Sequence, residues 1–228
     1  MTPEIFDPVE NSTRTSCTFP EDVSNYWTAN LYFRTGNGTL KRVPQIFWLS
    51  ITLRMVNMGL KADGGITVYY IPPYDGKSKV TAFKPGFRML VGDPTLRSGG
   101  NQQRQLCHRC FTTNSRRTVC QGGIRTTIAF PTCWDGVNVD SPDHKSHVAY
   151  PVNGTFESLA PCPAGHPIAP PQLMYEIIWD MREFNSRDLW PEDGSQPFVY
   201  SMGDGVSSLK SNPCFIPCLL HCALSNRN

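Results

Sequence analysis

The chain has 228 residues, of which 39% are hydrophobic and 18% charged, so it is long enough to bury one substantial core. Its 18 glycines and 20 prolines exclude a coiled coil or a long helical bundle, and its low charge excludes a highly charged disordered chain. The net charge of +2 also argues against a nucleic-acid-binding protein, because such domains usually carry a clustered basic surface.

Short extended segments dominate the chain and predict a mainly β fold. Residues 26–34 alternate between two faces, turn at residues 36–38 and return as a strand over 39–43. No segment shows a long helical period with caps, so we predict an antiparallel β-sandwich or jelly-roll-like domain with long loops and little helix. Gly and Pro turns bound the further predicted strands at 66–71, 87–91, 123–130 and 173–180.

The composition along the chain indicates one domain with two atypical ends. We expect residues 1–15 to be an unstructured N-terminal segment and residues 16–204 to form a single β-rich domain. Residues 205–228 are expected to be a poorly ordered tail, because two prolines interrupt its three cysteines at helical spacing. The longest apolar run, residues 46–53, is too short to span a membrane, so no membrane span is predicted.

Cysteines and glycosylation sequons indicate an oxidising compartment outside the cytosol. The chain has 9 cysteines, and disulfides persist mainly in extracellular proteins. Sequons begin at Asn11, Asn37 and Asn153, and glycines on both sides of Asn37 predict an exposed hairpin turn there. Residues 1–11 lack the basic and apolar regions of a signal peptide, so we expect that a leader has been lost.

The densest polar cluster of the sequence lies at residues 140–147. The Ser-Pro pair at 141–142 predicts the start of one helical turn. In such a turn His144 and His147 would share a face, and Asp143 would contact His147. A carboxylate beside an imidazole fixes its tautomer, as general bases and metal ligands require, so these three residues are candidate catalytic residues. No cofactor is expected. Two alternatives to a catalytic role are open: the same three residues hold a metal ion, or the cluster is a solvated surface turn.

Glu176 is a candidate second acid or base. It lies on the polar face of a predicted strand, and a glycosidase needs two carboxyl groups about 5–9.5 Å apart. Asp140 and Asp143 are the candidate partners for it. The alternative is that Glu176 forms an ion pair with an arginine of the sheet, such as Arg88 or Arg125.

Two interpretations are open for Cys107 and Cys110. Their Cys-x-x-Cys spacing is typical of half a zinc ribbon, but the second half is absent, and disulfides suit an oxidising compartment better. The chain also lacks a phosphate-binding Gly-rich loop, a Gly-x-Ser-x-Gly elbow and a His-Glu-x-x-His motif, which argues against nucleotide enzymes and serine hydrolases. The candidate disulfide cysteines, with pairing left open, are Cys17, Cys107, Cys110, Cys120, Cys133 and Cys162.

The segment from Cys133 to Pro151 resembles the signature of a fungal secreted family, the domain of unknown function DUF1996. The likeness runs from about residue 16 to residue 204 and includes Gly64–Ile66, Gly86–Met89 and Phe198–Asp204. It implies an extracellular or cell-wall location. It also implies a polysaccharide setting, because some relatives carry WSC modules that bind wall polysaccharides.

The resemblance also implies that this chain lacks the family's opening and closing segments and carries an insertion at residues 47–56. We therefore expect truncation at both ends. If the missing His and Asp residues complete the site, the chain would be inactive.

Two functions are open at this point. The first is a carbohydrate-active enzyme that cleaves wall polysaccharide, with Asp143 and His144 or His147 as the base and Glu176 as a second acid or base. The second is a non-catalytic glycan-binding or wall-structural protein that stacks exposed aromatic rings on sugars. The candidate binding residues are Asp140, Arg88, Trp134 and Tyr150, with Tyr69 and Trp190 as further aromatic candidates.

Overall fold

The structure, a computed structural model, describes residues 24, 26–46, 66–72, 80–92, 106–110, 122–152, 160–192, 197–201 and, for the backbone, 214–215. These ranges form short strands and two single-turn 3-10 helices, at Arg182–Phe184 and Arg187–Leu189. The strands are β1 Leu31–Arg34, β2 Leu40–Arg42, β3 Gln45–Ile46, β4 Ile66–Ile71, β5 Leu106–Cys110, β6 Ile124–Ala129, β7 Cys133–Trp134, β8 Val148–Ala149, β9 Gln172–Trp179, β10 Phe198–Tyr200 and β11 Cys214–Phe215.

Two antiparallel sheets and one short hairpin organise these strands. The first sheet has the order β11-β10-β1-β2. The second has the order β3-β9-β6-β5, and β4 also pairs with β9. The hairpin is formed by β7 and β8. The mainly β, antiparallel fold with little helix is therefore confirmed.

The core lies between the two sheets and follows from the alternation along β9. Tyr175, Ile177 and Trp179 are buried on one face of that strand, as the period of two predicts. They join one hydrophobic cluster with Leu31 and Phe33 of β1, which belongs to the first sheet. Because both sheets contribute to the same cluster, their inner faces are desolvated together, which is the main source of stability in such a fold.

The first predicted strand is shorter than its sequence pattern. The structure begins β1 at Leu31, not at residue 26, because the pairing with β10 covers only Leu31 to Phe33. Trp27, expected on the buried face, is 53% exposed. Tyr26 instead places its hydroxyl against that of Tyr70.

The predicted strand at residues 87–91 is wrong. Its backbone is extended but pairs with a loop, since Arg88 N–H donates to the Val139 carbonyl and Leu90 N–H to the His144 carbonyl. These two bonds, 2.9 and 3.0 Å long, satisfy the backbone without a neighbouring strand. They also fix the segment against the polar cluster of residues 140–147.

The structure describes only two residues, 214–215, of the segments that the sequence predicts to be atypical. Residues 1–15 and 47–56 lie outside the described residues, as does most of the tail. Within the tail, the backbone of Cys214–Phe215 pairs with Val199 and Tyr200 of β10. No helix in the described ranges is long and apolar enough to cross a membrane.

Candidate functional site

The polar cluster lies in the loop between β7 and β8, residues 135–147, called here the β7–β8 loop. Its base is rigid, because Cys133 and Trp134 pair with Ala149 and Val148. Trp134 also exchanges two backbone hydrogen bonds with Ile168. The loop is therefore a long excursion from a firmly held hairpin, which is a common position for functional side chains.

The predicted helical turn at residues 141–147 is wrong. His144 has a φ of 53°, in the left-handed region that disfavours side chains with a Cβ. Two tight turns replace the helix, closed by bonds from His144 N–H to the Ser141 carbonyl and from Val148 N–H to the Lys145 carbonyl. The two histidines consequently have separate partners, and the shared face expected for them does not form.

Asp140 and His144 form the exposed acid–base pair of the loop. His144 Nδ1 lies 2.6 Å from Asp140 Oδ1, and the two side chains are 44% and 30% exposed. Partial burial favours a higher pKa for Asp140, but the hydrogen bond from His144 and that from Ser141 N–H lower this pKa overall. With Nδ1 bound to the carboxylate, Nε2 of His144 has no hydrogen-bond partner among the described residues.

His147 is a buried link between two loops. Its side chain is 2% exposed, and Nε2 donates to the Arg88 carbonyl at 2.7 Å. Its Nδ1 lies 2.8 Å from Ser141 Oγ, and its ring is 5.4 Å from that of Phe87. Both ring nitrogens are occupied, so His147 in this arrangement fastens the β7–β8 loop to the segment of Arg88.

Asp143 organises the turn and does not contact His147. Its Oδ1 accepts the backbone N–H groups of Ser146 and Lys145 and the hydroxyls of Ser141 and Ser146, at 2.8–3.0 Å. These bonds, that from Ser146 N–H first, hold the pKa of Asp143 far below its usual range. The expected contact between Asp143 and His147 is replaced by a bridge through the Ser141 hydroxyl, which lies 2.8 Å from each.

Arg88 lies beside the pair of Asp140 and His144. Its side chain is exposed, and its positive charge is among the influences that lower the pKa of Asp140. Its carbonyl accepts from His147, so the residue is held through its backbone while the guanidinium stays at the surface. The structure therefore brings Arg88, Asp140 and His144 together. The sequence predicted a catalytic role for His144 and a binding role for Arg88 and Asp140.

The expectation of an exposed ring is wrong for Trp134, and Tyr150 is only half-buried. Trp134 is 3% exposed, donates from Nε1 to the Asn138 carbonyl at 2.6 Å and has Lys84 Nζ 4.7 Å above its ring. The Tyr150 hydroxyl donates to the Ala129 carbonyl, and burial raises the pKa of this phenol. The Trp134 ring therefore packs within the protein and offers no open face for a sugar, whereas Tyr150 is half-buried.

Trp190 is also engaged within the protein. Its indole N–H donates to the Phe184 carbonyl, and its ring packs against Phe33 and Phe198. Tyr69, by contrast, is 37% exposed on β4. Of the aromatic candidates for sugar stacking, Tyr69 is therefore the exposed one.

Glu176 lies on the second sheet with partners of its own. Arg125 Nη1 is 3.6 Å from its Oε1, and the Tyr69 hydroxyl donates to Oε2 at 3.3 Å. The alternative of an ion pair with an arginine of the sheet is thus confirmed for Arg125. Within the described part of the chain, no partner of Glu176 belongs to the β7–β8 loop, so the structure does not join it to Asp140 or Asp143.

Four cysteines of the described ranges are oxidised. Cys133 and Cys162 form a disulfide, and Cys107 and Cys110 are also disulfide-bonded. Half a zinc ribbon is therefore excluded at Cys107 and Cys110, because thiolates are the zinc ligands there. The described ranges contain no group of three or more His, Cys, Asp and Glu residues that could hold a metal ion. Cys17 and Cys120 lie outside the described residues.

The glycosylation candidate Asn37 lies where the sequence predicts it. It is exposed at the tip of the β1–β2 hairpin, and its Oδ1 accepts from Thr39 N–H at 3.0 Å. Asn11 and Asn153 lie outside the described residues.

His108 is a residue that the sequence reasoning missed. Its Nδ1 lies 2.8 Å from Thr126 Oγ1, which also accepts from Trp179 Nε1 and lies 3.3 Å from the Tyr200 hydroxyl. Burial between the sheets lowers the pKa of His108 to about 4. The alternation of β5 was the available signal, since it points His108 inward.

Comparison with curated proteins and with solved structures gives no match. The family comparison does, and it covers most of the chain, including the β-rich region and the whole β7–β8 loop. Residues 2–209 match the model described as "Domain of unknown function (DUF1996)", and the chain belongs to that family.

Proposed function

We propose that the protein is an extracellular carbohydrate-active enzyme that uses Asp140 and His144 as a catalytic pair on cell-wall polysaccharide. The supporting observation is the 2.6 Å contact between the Asp140 carboxylate and His144 Nδ1, which leaves Nε2 of this 44% exposed side chain without a hydrogen-bond partner in the described ranges. A carboxylate on one ring nitrogen fixes the tautomer and favours proton uptake at the other nitrogen. The left-handed backbone of His144 adds support, because such strain often persists at functional positions.

The chemistry that suits one base and one neighbouring cation is β-elimination from an acidic sugar. His144 Nε2 takes the proton from the carbon next to the sugar carboxylate, and that electron pair forms a carbon–carbon double bond. The glycosidic oxygen leaves with its bonding electrons and takes a proton from water. Arg88 would neutralise the sugar carboxylate, and Asp140 would stabilise the imidazolium that forms.

Hydrolysis of the glycosidic bond is less well supported. It requires two carboxyl groups on either side of the bond, one of which must donate a proton. Asp143 is a poor proton donor because its hydrogen bonds depress its pKa, and Glu176 is held by Tyr69 and Arg125. These observations favour elimination over hydrolysis.

The extracellular location in this proposal rests on the oxidised cysteines, since cytosolic thiols are kept reduced. We expect Cys107, Cys110, Cys133 and Cys162 of the secreted protein to resist alkylation after unfolding without reductant and to react after reduction. Peptide mapping of the alkylated protein makes this measurement. Alkylation of Cys133 and Cys162 before reduction would contradict both the disulfide and the location.

A second candidate function is glycan binding without catalysis. It is favoured by the exposed aromatic side chains Trp27 and Tyr69, which are 53% and 37% exposed. Such rings bind sugars by stacking on their apolar faces. This function needs no base, so it predicts binding that does not depend on His144.

A polysaccharide panel tests the two functions together. Neutral and uronate-containing wall polysaccharides are incubated with the protein, and bound polymer and released unsaturated sugar are measured separately. Release of unsaturated product from a uronate polymer, dependent on His144, is the expected result. Binding without any product would favour the second function, and neither binding nor product on the whole panel would rule out both.

A further inference from the structure

The outer face of the second sheet carries a polar and aromatic cluster apart from the β7–β8 loop. Tyr175 and Ile177 of β9 point into the core, so Glu176 between them faces away from it. Tyr69 of β4 and Arg125 of β6 flank Glu176 on this same face. Three adjacent strands thus place a phenol, a carboxylate and a guanidinium side by side.

Glu176 has acceptor capacity that these neighbours do not fill. Its side chain is 12% exposed, so most of its hydration is lost. Its two polar partners in the described ranges are long ones, at 3.3 Å to the Tyr69 hydroxyl and 3.6 Å to Arg125 Nη1. A carboxylate accepts about four hydrogen bonds, and a largely desolvated one is costly to leave under-bonded.

We propose that Tyr69, Glu176 and Arg125 form a binding subsite for a neutral sugar ring, separate from the proposed catalytic pair. Sugar hydroxyls would donate to Glu176 and accept from Arg125, while the ring of Tyr69, 37% exposed, covers an apolar sugar face. A metal ion does not fit, because the site offers one carboxylate beside a guanidinium. An anionic sugar does not fit either, because Glu176 would repel it.

Binding of neutral oligosaccharides to the full chain tests this subsite. Calorimetry with cellohexaose, laminarihexaose and xylohexaose identifies which of them binds the wild type. We expect Glu176→Gln to weaken that binding by about 10-fold, because a charge-assisted acceptor is lost. Tyr69→Ala should weaken it by about 10-fold through loss of stacking, and Tyr69→Phe by less.

Tyr70→Ala is the matched control. Tyr70 is the next residue of β4, is 44% exposed and points to the opposite face, where it meets Tyr26 and Phe83. Its replacement should leave the affinity unchanged. Equal losses in Tyr69→Ala and Tyr70→Ala would overturn the proposal, as would unchanged binding in Glu176→Gln or the absence of binding of all three sugars by the wild type.

The two proposals can fail separately. His144→Gly should retain neutral-sugar binding if the outer-face subsite is correct, whatever its effect on turnover. If instead His144→Gly abolishes this binding, the sugar occupies the β7–β8 loop and the outer-face subsite is wrong.

Discussion

Replacing His144 with glycine should lower turnover of a uronate polysaccharide by about 10²–10⁴-fold, the range typical of a lost general base. The same change should not lower the free energy of unfolding. Glycine adopts a φ of 53° without the strain of about 1–2 kcal/mol that a side chain with a Cβ meets there. The pair lost with Asp140 is partly exposed, and such pairs contribute about 0–1 kcal/mol.

This combination separates catalysis from folding. Initial rates from the absorbance of the unsaturated product, together with urea unfolding of the same samples, make the two measurements. His166→Ala is the control. The Nε2 of His166 lies 3.0 Å from the Ser146 carbonyl of the β7–β8 loop, but His166 has no carboxylate partner in the described ranges. Wild-type rates in His144→Gly would end the proposal of a catalytic pair, and a large loss of stability would assign His144 a structural role.

Asp140→Asn adds a test of how the pair works. The amide preserves the shape of the carboxylate but not its charge, so the imidazolium formed during proton transfer would lose its stabilising partner. We expect a smaller loss of rate than in His144→Gly, with little change in the concentration of substrate needed for half-maximal rate. A loss confined to substrate affinity would place Asp140 in binding alone.

The sheet was predictable from the sequence because its signals are local. The alternation along β9 fixes which side chains face the core, since successive residues of a strand point to opposite sides. The glycines around Asn37 fix the first hairpin, where Gly38 has a φ of 84°. Neither inference depends on residues distant in the chain.

The β7–β8 loop was not predictable in the same way because its conformation depends on distant partners. His147 is held by the carbonyl of Arg88, and Trp134 is covered by Lys84 and Phe87, all from a segment some 50 residues earlier. The local Ser-Pro signal favours a helical turn, but four hydrogen bonds to Asp143 Oδ1 stabilise a non-helical turn instead. The residue types of the site were therefore recognisable, whereas their pairing was not.

We expect His108 to make the free energy of unfolding depend strongly on pH. Its pKa is about 4 in the folded protein against an ordinary 6.5, because burial disfavours the charged ring. The unfolded chain therefore binds a proton at a higher pH than the folded chain does. The contribution of the neutral His108 is fully present above about pH 6.5 and is lost progressively as the pH falls to about 4. The difference between the two values corresponds to about 3 kcal/mol.

His108→Gln isolates this effect from the titration of the carboxylates. The amide can still bond to Thr126 Oγ1, now 2.8 Å from His108 Nδ1, but it does not titrate. We expect the free energy of unfolding of the wild type to fall between pH 6.5 and 4 by about 3 kcal/mol more than that of His108→Gln. Urea unfolding at pH 7, 5.5 and 4.5 measures the two curves, and parallel curves would contradict the burial of a neutral histidine between the sheets. A steeper loss in the wild type is the result expected for a histidine that is buried against Tyr200 of β10, whose ring lies 5.8 Å from that of His108.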